Sequence, residues 1–244
     1  MILSNFVGEI IHVFIPSVCL LCGTRIGKDN FICEKCSDFE SNIPFFCGKC
    51  GLGLPSGFKA GMCRRCVRAG FYFDRNLSPF LFKGTIQKFL YLFKYKGHKY
   101  LGNLLSDKIT SFINAININL NDYDLITYVP LHPRKLRERE YNQSFVLAYN
   151  LSEYFSIPLK NTLAVKRYIK SQTLKDSRLR QTDIMDNFHV IYHVRNKRIL
   201  LIDDVFTTGA TVSECSRVLK DEGAIEVLVI TSAITKPDDF FSVN

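Results

Sequence analysis

An unbroken apolar run, Ile199-Leu200-Leu201-Ile202, stops abruptly at two adjacent carboxylates, Asp203 and Asp204. A run with no polar alternation has no face to give to water. It therefore suits a strand of a parallel sheet covered on both sides. Open sheets of that kind take their ligands beyond the carboxyl ends of the strands, which is where the two aspartates are expected. Thr207, Thr208, Gly209, Ala210 and Thr211 follow as a small, hydroxylic loop. Val212, Cys215, Val218 and Leu219 then repeat at helical spacing, and Gly223 suits the end of that helix. Unpaired N–H groups at a helix start, aided by the helix dipole, attract phosphate. Gly209 lets the backbone approach closely, and the threonine hydroxyls add donors. A diacid beside an anion cup is a site for a phosphorylated sugar. The Gly-Lys-Ser/Thr sequence of a P-loop is not present.

At these residues the chain resembles the type I phosphoribosyltransferases, whose fingerprint is a hydrophobic strand, two acids and a Thr-Thr-Gly-x-Thr loop. The resemblance implies that Thr207, Thr208, Gly209, Ala210 and Thr211 hold the 5-phosphate of phosphoribosyl pyrophosphate (PRPP). It implies that Asp203 and Asp204 face the ribose hydroxyls as the catalytic pair.

Eight of the nine cysteines form four Cys-x-x-Cys pairs: Cys19/Cys22, Cys33/Cys36, Cys47/Cys50 and Cys63/Cys66. Two such pairs make one tetrathiolate Zn²⁺ site, so the spacing predicts two structural zinc ions. Glycine follows Cys22 and Cys50 but not Cys36 or Cys66, so a knuckle and a helix-opening pair occur twice. The repeat favours sequential sites, Cys19, Cys22, Cys33 and Cys36, then Cys47, Cys50, Cys63 and Cys66. A crossed arrangement is the alternative. Four tandem pairs do not suit a thioredoxin-like redox motif, and the absence of a signal peptide disfavours disulfides. The formal charge of +9 falls to about +5 once each zinc tetrathiolate is counted as −2. The metallated ribbon is therefore not strongly basic, and a bracing role fits it as well as nucleic-acid binding.

Residues 1–18 are apolar but carry Glu9 and His12 and break at Pro16. Ile2, Phe6, Ile10 and Val13 suit a short amphipathic helix. The segment lacks a basic leader and a cleavage site and is too short to span a bilayer, so a cytoplasmic protein without a transmembrane segment is expected. The expected division is a helix at 1–18, a double zinc ribbon at 19–70 and an α/β domain at 71–244.

Between ribbon and diacid, Tyr72 to Phe82 reads as strand. Ile86, Phe89, Leu90 and Phe93 mark a helix that closes in the basic turn Lys94-Tyr95-Lys96-Gly97. Leu101 to Ile118 reads as a second helix and Leu125 to Val129 as a core strand. Past that strand, Leu131, His132 and Arg134 open a loop crowded by Lys135, Arg137 and Arg139. Guanidinium forks suit a pyrophosphate. A second basic stretch, Lys166 to Arg180, reads as a loop able to close over a phosphorylated ligand.

These pieces together resemble the ComF family of competence-associated proteins, which join a double zinc ribbon to a phosphoribosyltransferase domain. The matching segments are the cysteine pairs, Lys94 to Gly97, Val129 to Arg134, Arg139 to Gln143, Ser171-Gln172-Thr173 and Asp203 to Thr211. Glu140 stands where the family has glycine, and Asp183 where it has asparagine. The resemblance implies an α/β phosphoribosyltransferase-like parallel sheet flanked by helices, with Mg²⁺-PRPP as ligand and pyrophosphate near Leu131, His132 and Arg134. Two functions follow from it. One is phosphoribosyl transfer to a nitrogen acceptor that the sequence does not name. The other is non-catalytic, PRPP-responsive handling of single-stranded DNA, with a competence helicase as partner and with Tyr72, Phe82, Tyr95 and Tyr141 as candidate stacking platforms. The sequence carries no signal of oligomeric state.

Overall fold

The computed structural model describes residues 18–27, 30–42, 46–54, 61–168 and 184–237. The helix expected at 1–18, all but its last residue, and most of the second basic stretch, with Ser171, Gln172, Thr173, Arg180 and Asp183, lie outside them.

The apolar run forms the centre of strand β6 (Arg198–Phe206), where Ile199, Leu200, Leu201 and Ile202 are all 0% exposed. Parallel neighbours flank it, β7 (Glu226–Ile234) on one side and β3 (Leu125–Tyr128) on the other. Beyond β7 lie two short parallel strands, β1 (Arg75–Leu77) and β2 (Phe80–Leu81), while β4 (Leu163–Val165) and β5 (Phe188–Val190) form a separate antiparallel pair. The expected single strand over 72–82 is thus broken at Ser78-Pro79. A proline with no N–H to donate is tolerated at a sheet edge, and this edge position accommodates it.

Alternate residues of β6 enter two separate apolar layers. Leu200 and Ile202 face a layer that includes Ile86, Phe89 and Phe93 of α3 (Thr85–Tyr95), Leu105 and Ile109 of α4 (Leu101–Ala115), and Leu147 of α6 (Gln143–Phe155). Ile199 and Leu201 face a layer with Val212, Cys215 and Leu219 of α7 (Ala210–Asp221). Cys215 is core, as its helical position indicates. The cysteine-rich segment divides between the same layers. Cys19, Ile32 and Phe39 join the first, and Cys47, Cys50, Cys63, Cys66 and Leu52 join the second. The ribbon therefore straddles the β1/β2 edge of the sheet and contributes apolar residues to both layers.

Two elements differ from expectation at the carboxyl ends of the strands. Strand β6 runs on through Asp203 and Asp204 to Phe206, because the equally long β7 pairs with it up to Ile234. The aspartates thus stand inside the strand rather than beyond it. Strand β3 stops opposite Ile202, with one further bond from the Val129 N–H to the Ile202 carbonyl at 3.0 Å. On the β3 side the aspartates consequently have no strand partner, and the notch left at the end of β3 is the cleft referred to below.

The segment expected as a basic loop is instead a short helix, α5 (Pro133–Arg139). Pro133 supplies a preset φ at its first turn, and His132 Nδ1 caps it by accepting the Arg134 N–H at 3.2 Å. The helix ends at Glu140 in the left-handed region, φ 67°. A side chain in that region costs more than a glycine does, partly offset by glycine's larger unfolded-state entropy. Glu140→Gly is expected to raise unfolding free energy by about 0.5–1 kcal/mol, read from urea midpoints at unchanged slope. A lower midpoint would show that the Glu140 side chain holds the turn.

Candidate functional site

Two short helices open at the second cysteine pairs: α1 (Glu34–Ser37) after Cys33 and α2 (Arg64–Ala69) after Cys63. They bring the thiols together in chain order, Cys19, Cys22, Cys33 and Cys36 in one group and Cys47, Cys50, Cys63 and Cys66 in the other. Within each group all sulfurs lie within 4.8 Å of one another. Sulfurs 2.3 Å from a tetrahedral zinc would stand about 3.8 Å apart. The Cys22–Cys33, Cys47–Cys66 and Cys50–Cys63 pairs stand 3.7 Å apart, so the donor sets fit that ion. The groups differ in burial, since the second is buried at all four positions whereas Cys22 of the first is exposed. Thr24 beside Cys22, its Oγ1 3.3 Å from the sulfur, holds that thiol down at about 6.

The cleft at the end of β3 holds a polar cluster on the two aspartates. Asp203 Oδ1 accepts from Ser144 Oγ and from the Asp204 N–H, both at 2.9 Å. Asp204, 8% exposed, is paired with Lys94, Nζ to Oδ2 2.8 Å. Ser232 Oγ–H donates to the Asp204 carbonyl. Burial, followed by the neighbouring Asp204 charge, pushes the Asp203 carboxyl up to about 7, against the Asp204 N–H, Lys94 and Ser144. Asp203 as a whole is nonetheless only half-buried.

Lys94 reaches the cleft from the end of α3, and the segment after α5 holds it there. Tyr141 O–H donates to the Phe93 carbonyl, and Gln143 Nε2 donates to the Lys94 carbonyl at 3.5 Å. Arg139 lies over the Tyr95 ring at 5.2 Å. Asn142 caps α6 by accepting the Ser144 N–H at 2.9 Å, while its amide donates to the Val129 carbonyl at 3.0 Å. That capping places Ser144 against Asp203. The roles of Lys94 and Ser144 escaped the sequence reading, although a Lys-rich turn and an Asn-x-Ser helix start were there to be read.

Beside the acids, Thr207, Thr208 and Gly209 lead into α7. Gly209 has φ 81°, and a Cβ there would run into the Phe206 ring and come within 3.0 Å of Phe71. The first N–H groups of α7 have no partner within their own helix, although Thr208 Oγ1 accepts from Ala210 at 3.3 Å. Across the cleft, Leu131 and His132 are half-buried and Arg134 is exposed. Arg134 pairs with Glu138 at 3.4 Å and lies over Tyr168 at 4.6 Å, and His132 packs on the same ring. Of the candidate stacking residues, Tyr72 and Tyr95 are 54% exposed. Tyr141 is committed to the Phe93 carbonyl, and Phe82 packs against the core.

A parallel sheet whose central strand carries a diacid and then a short hydroxylic loop, with two four-cysteine groups, defines a phosphoribosyltransferase-like protein with a double zinc ribbon. Residues 142–239 match the phosphoribosyl transferase domain and residues 10–67 the double zinc ribbon domain. The chain is 26% identical over 219 residues to the DNA utilization protein YhgH of Escherichia coli K12, covering 88% of this chain and 96% of that one. It is 25% identical over 240 residues to the competence protein ComFC of Bacillus subtilis 168, covering 91% and 95%. To competence protein F of Haemophilus influenzae it is 26% identical over 220 residues, covering 86% and 94%. A purine phosphoribosyltransferase of Pyrococcus horikoshii Ot3 aligns at a TM-score of 0.35 with 20% identity, over 57% of this chain and 75% of that one, too low a score to bear on the site. The chain thus joins a double zinc ribbon match to a phosphoribosyl transferase match, and over most of its length it is similar to proteins named for competence and DNA utilization. No helix among the described residues is long and apolar enough to cross a membrane.

The raised Asp203 carboxyl has a consequence for stability. Between about pH 4 and pH 7 the folded chain keeps a proton there that the unfolded chain has released. Stability contributed by this group is therefore full at low pH and declines as pH rises through that window. Urea denaturation of Asp203→Asn from pH 5 to 8 is expected to show a flatter profile than the parent, with the variant gaining most at pH 8. An unchanged slope would mean that Asp203 does not titrate there.

Proposed function

We propose that this protein binds Mg²⁺-PRPP in the cleft beside β6 and acts in the cytoplasm in the handling of DNA during uptake. The observation that carries the PRPP reading is the juxtaposition at one strand end of a diacid held by Lys94 and Ser144 with the Thr207–Thr211 loop. In this reading Thr207, Thr208, Gly209, Ala210 and Thr211 bind the 5-phosphate through backbone N–H groups and hydroxyls. Asp203 and Asp204 accept from the ribose hydroxyls, with Lys94 giving up Asp204 as the sugar enters. Leu131, His132 and Arg134 adjoin the pyrophosphate. Mg²⁺ would clamp the departing pyrophosphate and neutralise its charge. The eight paired cysteines hold two structural zinc ions.

Phosphoribosyl transfer is the activity such a site supports best. A nitrogen nucleophile bonds to the anomeric carbon as the bond to pyrophosphate breaks, and the leaving group takes the electron pair. The fixed carboxylates stabilise the positive charge that develops on the ribose ring. A second reading, binding of single-stranded DNA without chemistry, rests on the names of the relatives and on one surface. Tyr91 and Tyr95 stand 52% and 54% exposed with ring centroids 5.4 Å apart, attended by Lys96 and Arg139. Exposed aromatics attended by cations suit unpaired bases.

Calorimetric titration of the full chain with Mg²⁺-PRPP is expected to show one site. Asp204→Asn is expected to abolish the heat of binding while zinc content by mass spectrometry stays at two per chain. Undiminished binding by the variant would contradict the assignment. Pyrophosphate release in the presence of PRPP and a set of nitrogen bases separates transfer from binding alone.

A further inference from the structure

We propose that Arg65, which belongs to the cysteine-rich segment and not to the sheet, is a positioning residue for the Thr207–Thr211 loop and raises its affinity for PRPP. The inference rests on the PRPP reading given above and adds to it a residue that neither the diacid nor the loop contains.

Arg65 sits on α2 between Cys63 and Cys66, two members of the buried cysteine group. A metal held by those thiols would fix the backbone on either side of it. Its guanidinium crosses to the loop, where Nη2 donates to the Thr207 carbonyl at 2.7 Å. On the way it lies over the Phe206 ring at 5.0 Å and the Phe71 ring at 5.7 Å. These are the two rings that a Cβ on Gly209 would strike, so one aromatic pair touches both the arginine and the turn of the loop.

The geometry has a directional consequence. In a trans peptide the C=O and the following N–H point in opposite directions. Holding the Thr207 oxygen toward the ribbon therefore turns the Thr208 N–H away from it. A loop with that amide already aimed loses less order when it takes up a phosphate. The guanidinium is permanently charged and close by, so it also adds a positive potential at the cup. A planar fork meets these demands together, with one edge on the carbonyl and one face on the rings, and an ammonium does not.

The test compares Arg65→Ala with Arg68→Ala, an exposed cation of the same helix, in the full zinc-loaded chain. Three quantities are read: zinc content, hydrogen exchange of the 205–211 segment without ligand, and the dissociation constant for Mg²⁺-PRPP. Arg65→Ala is expected to keep both zinc ions, exchange faster in that segment and bind PRPP about tenfold more weakly, the weight of one charge-assisted hydrogen bond. Arg68→Ala is expected to match the parent in all three. Parental exchange and affinity in a zinc-replete Arg65→Ala overturn the proposal. Should Arg65→Ala shed zinc, Arg65→Lys decides, because it keeps the aliphatic stem and the charge but not the fork. Weaker binding with zinc intact supports the proposal, and parental affinity overturns it. If the parent chain binds no PRPP, the ligand reading falls instead, while the exchange comparison still decides whether Arg65 orders the loop.

Discussion

Two negative charges on consecutive residues of a buried strand are costly, and the architecture around the cleft follows from meeting that cost. Asp204 has an ammonium partner at 2.8 Å, and Asp203 has a hydroxyl and a backbone N–H at 2.9 Å. Each partner comes from a different part of the chain. Lys94 ends α3, Ser144 opens α6, and the backbone donor lies in β6 itself. Burial of a charge is tolerable only with such partners. The helices that supply them are anchored in turn, through Tyr141 and Gln143 to the end of α3 and through Asn142 to the end of β3. The compensation is incomplete at Asp203, whose carboxyl stays protonated up to about pH 7.

The ribbon makes a second contribution. Because its two cysteine groups join opposite layers, it covers the β1/β2 edge of the sheet, which would otherwise offer an unpaired strand to other chains. A buried amide network reinforces the junction: Asn76 donates to the Cys50 carbonyl and to Ser78, whose hydroxyl lies 2.6 Å from that of Thr231. Thr231 is the register partner of Asp203 on β7. The ribbon is thus packed into the same structural unit as the diacid.

What could be read from the sequence depended on how local its cause was. The run at 199–202, the helix carrying Ile86, Phe89, Leu90 and Phe93, and the helix after Gly209 each announce themselves by periodicity within a dozen residues. The two cysteine groups did so by spacing. The length of β6 was not readable, because it is fixed by β7 about 30 residues later. The helix at 133–139 was hidden by its charge, since lysines and arginines read as loop until His132 is recognised as a cap and Pro133 as a first-turn residue. Within the candidate site, the aspartates and threonines stand in one segment and were found together. Lys94, Ser144 and Arg65 act across 59 to 142 residues of chain, and only folding brings them there.

The central claim is that the diacid and the threonine loop together take up an activated pentose phosphate. A crystal structure of the full chain with Mg²⁺-PRPP tests it most directly. The expected density places the 5-phosphate against the backbone of Thr207 to Thr211, the ribose hydroxyls on Asp203 and Asp204, and Lys94 away from Asp204. Density for the ligand anywhere else, or an intact Lys94–Asp204 pair with the loop empty at saturating PRPP, would contradict it.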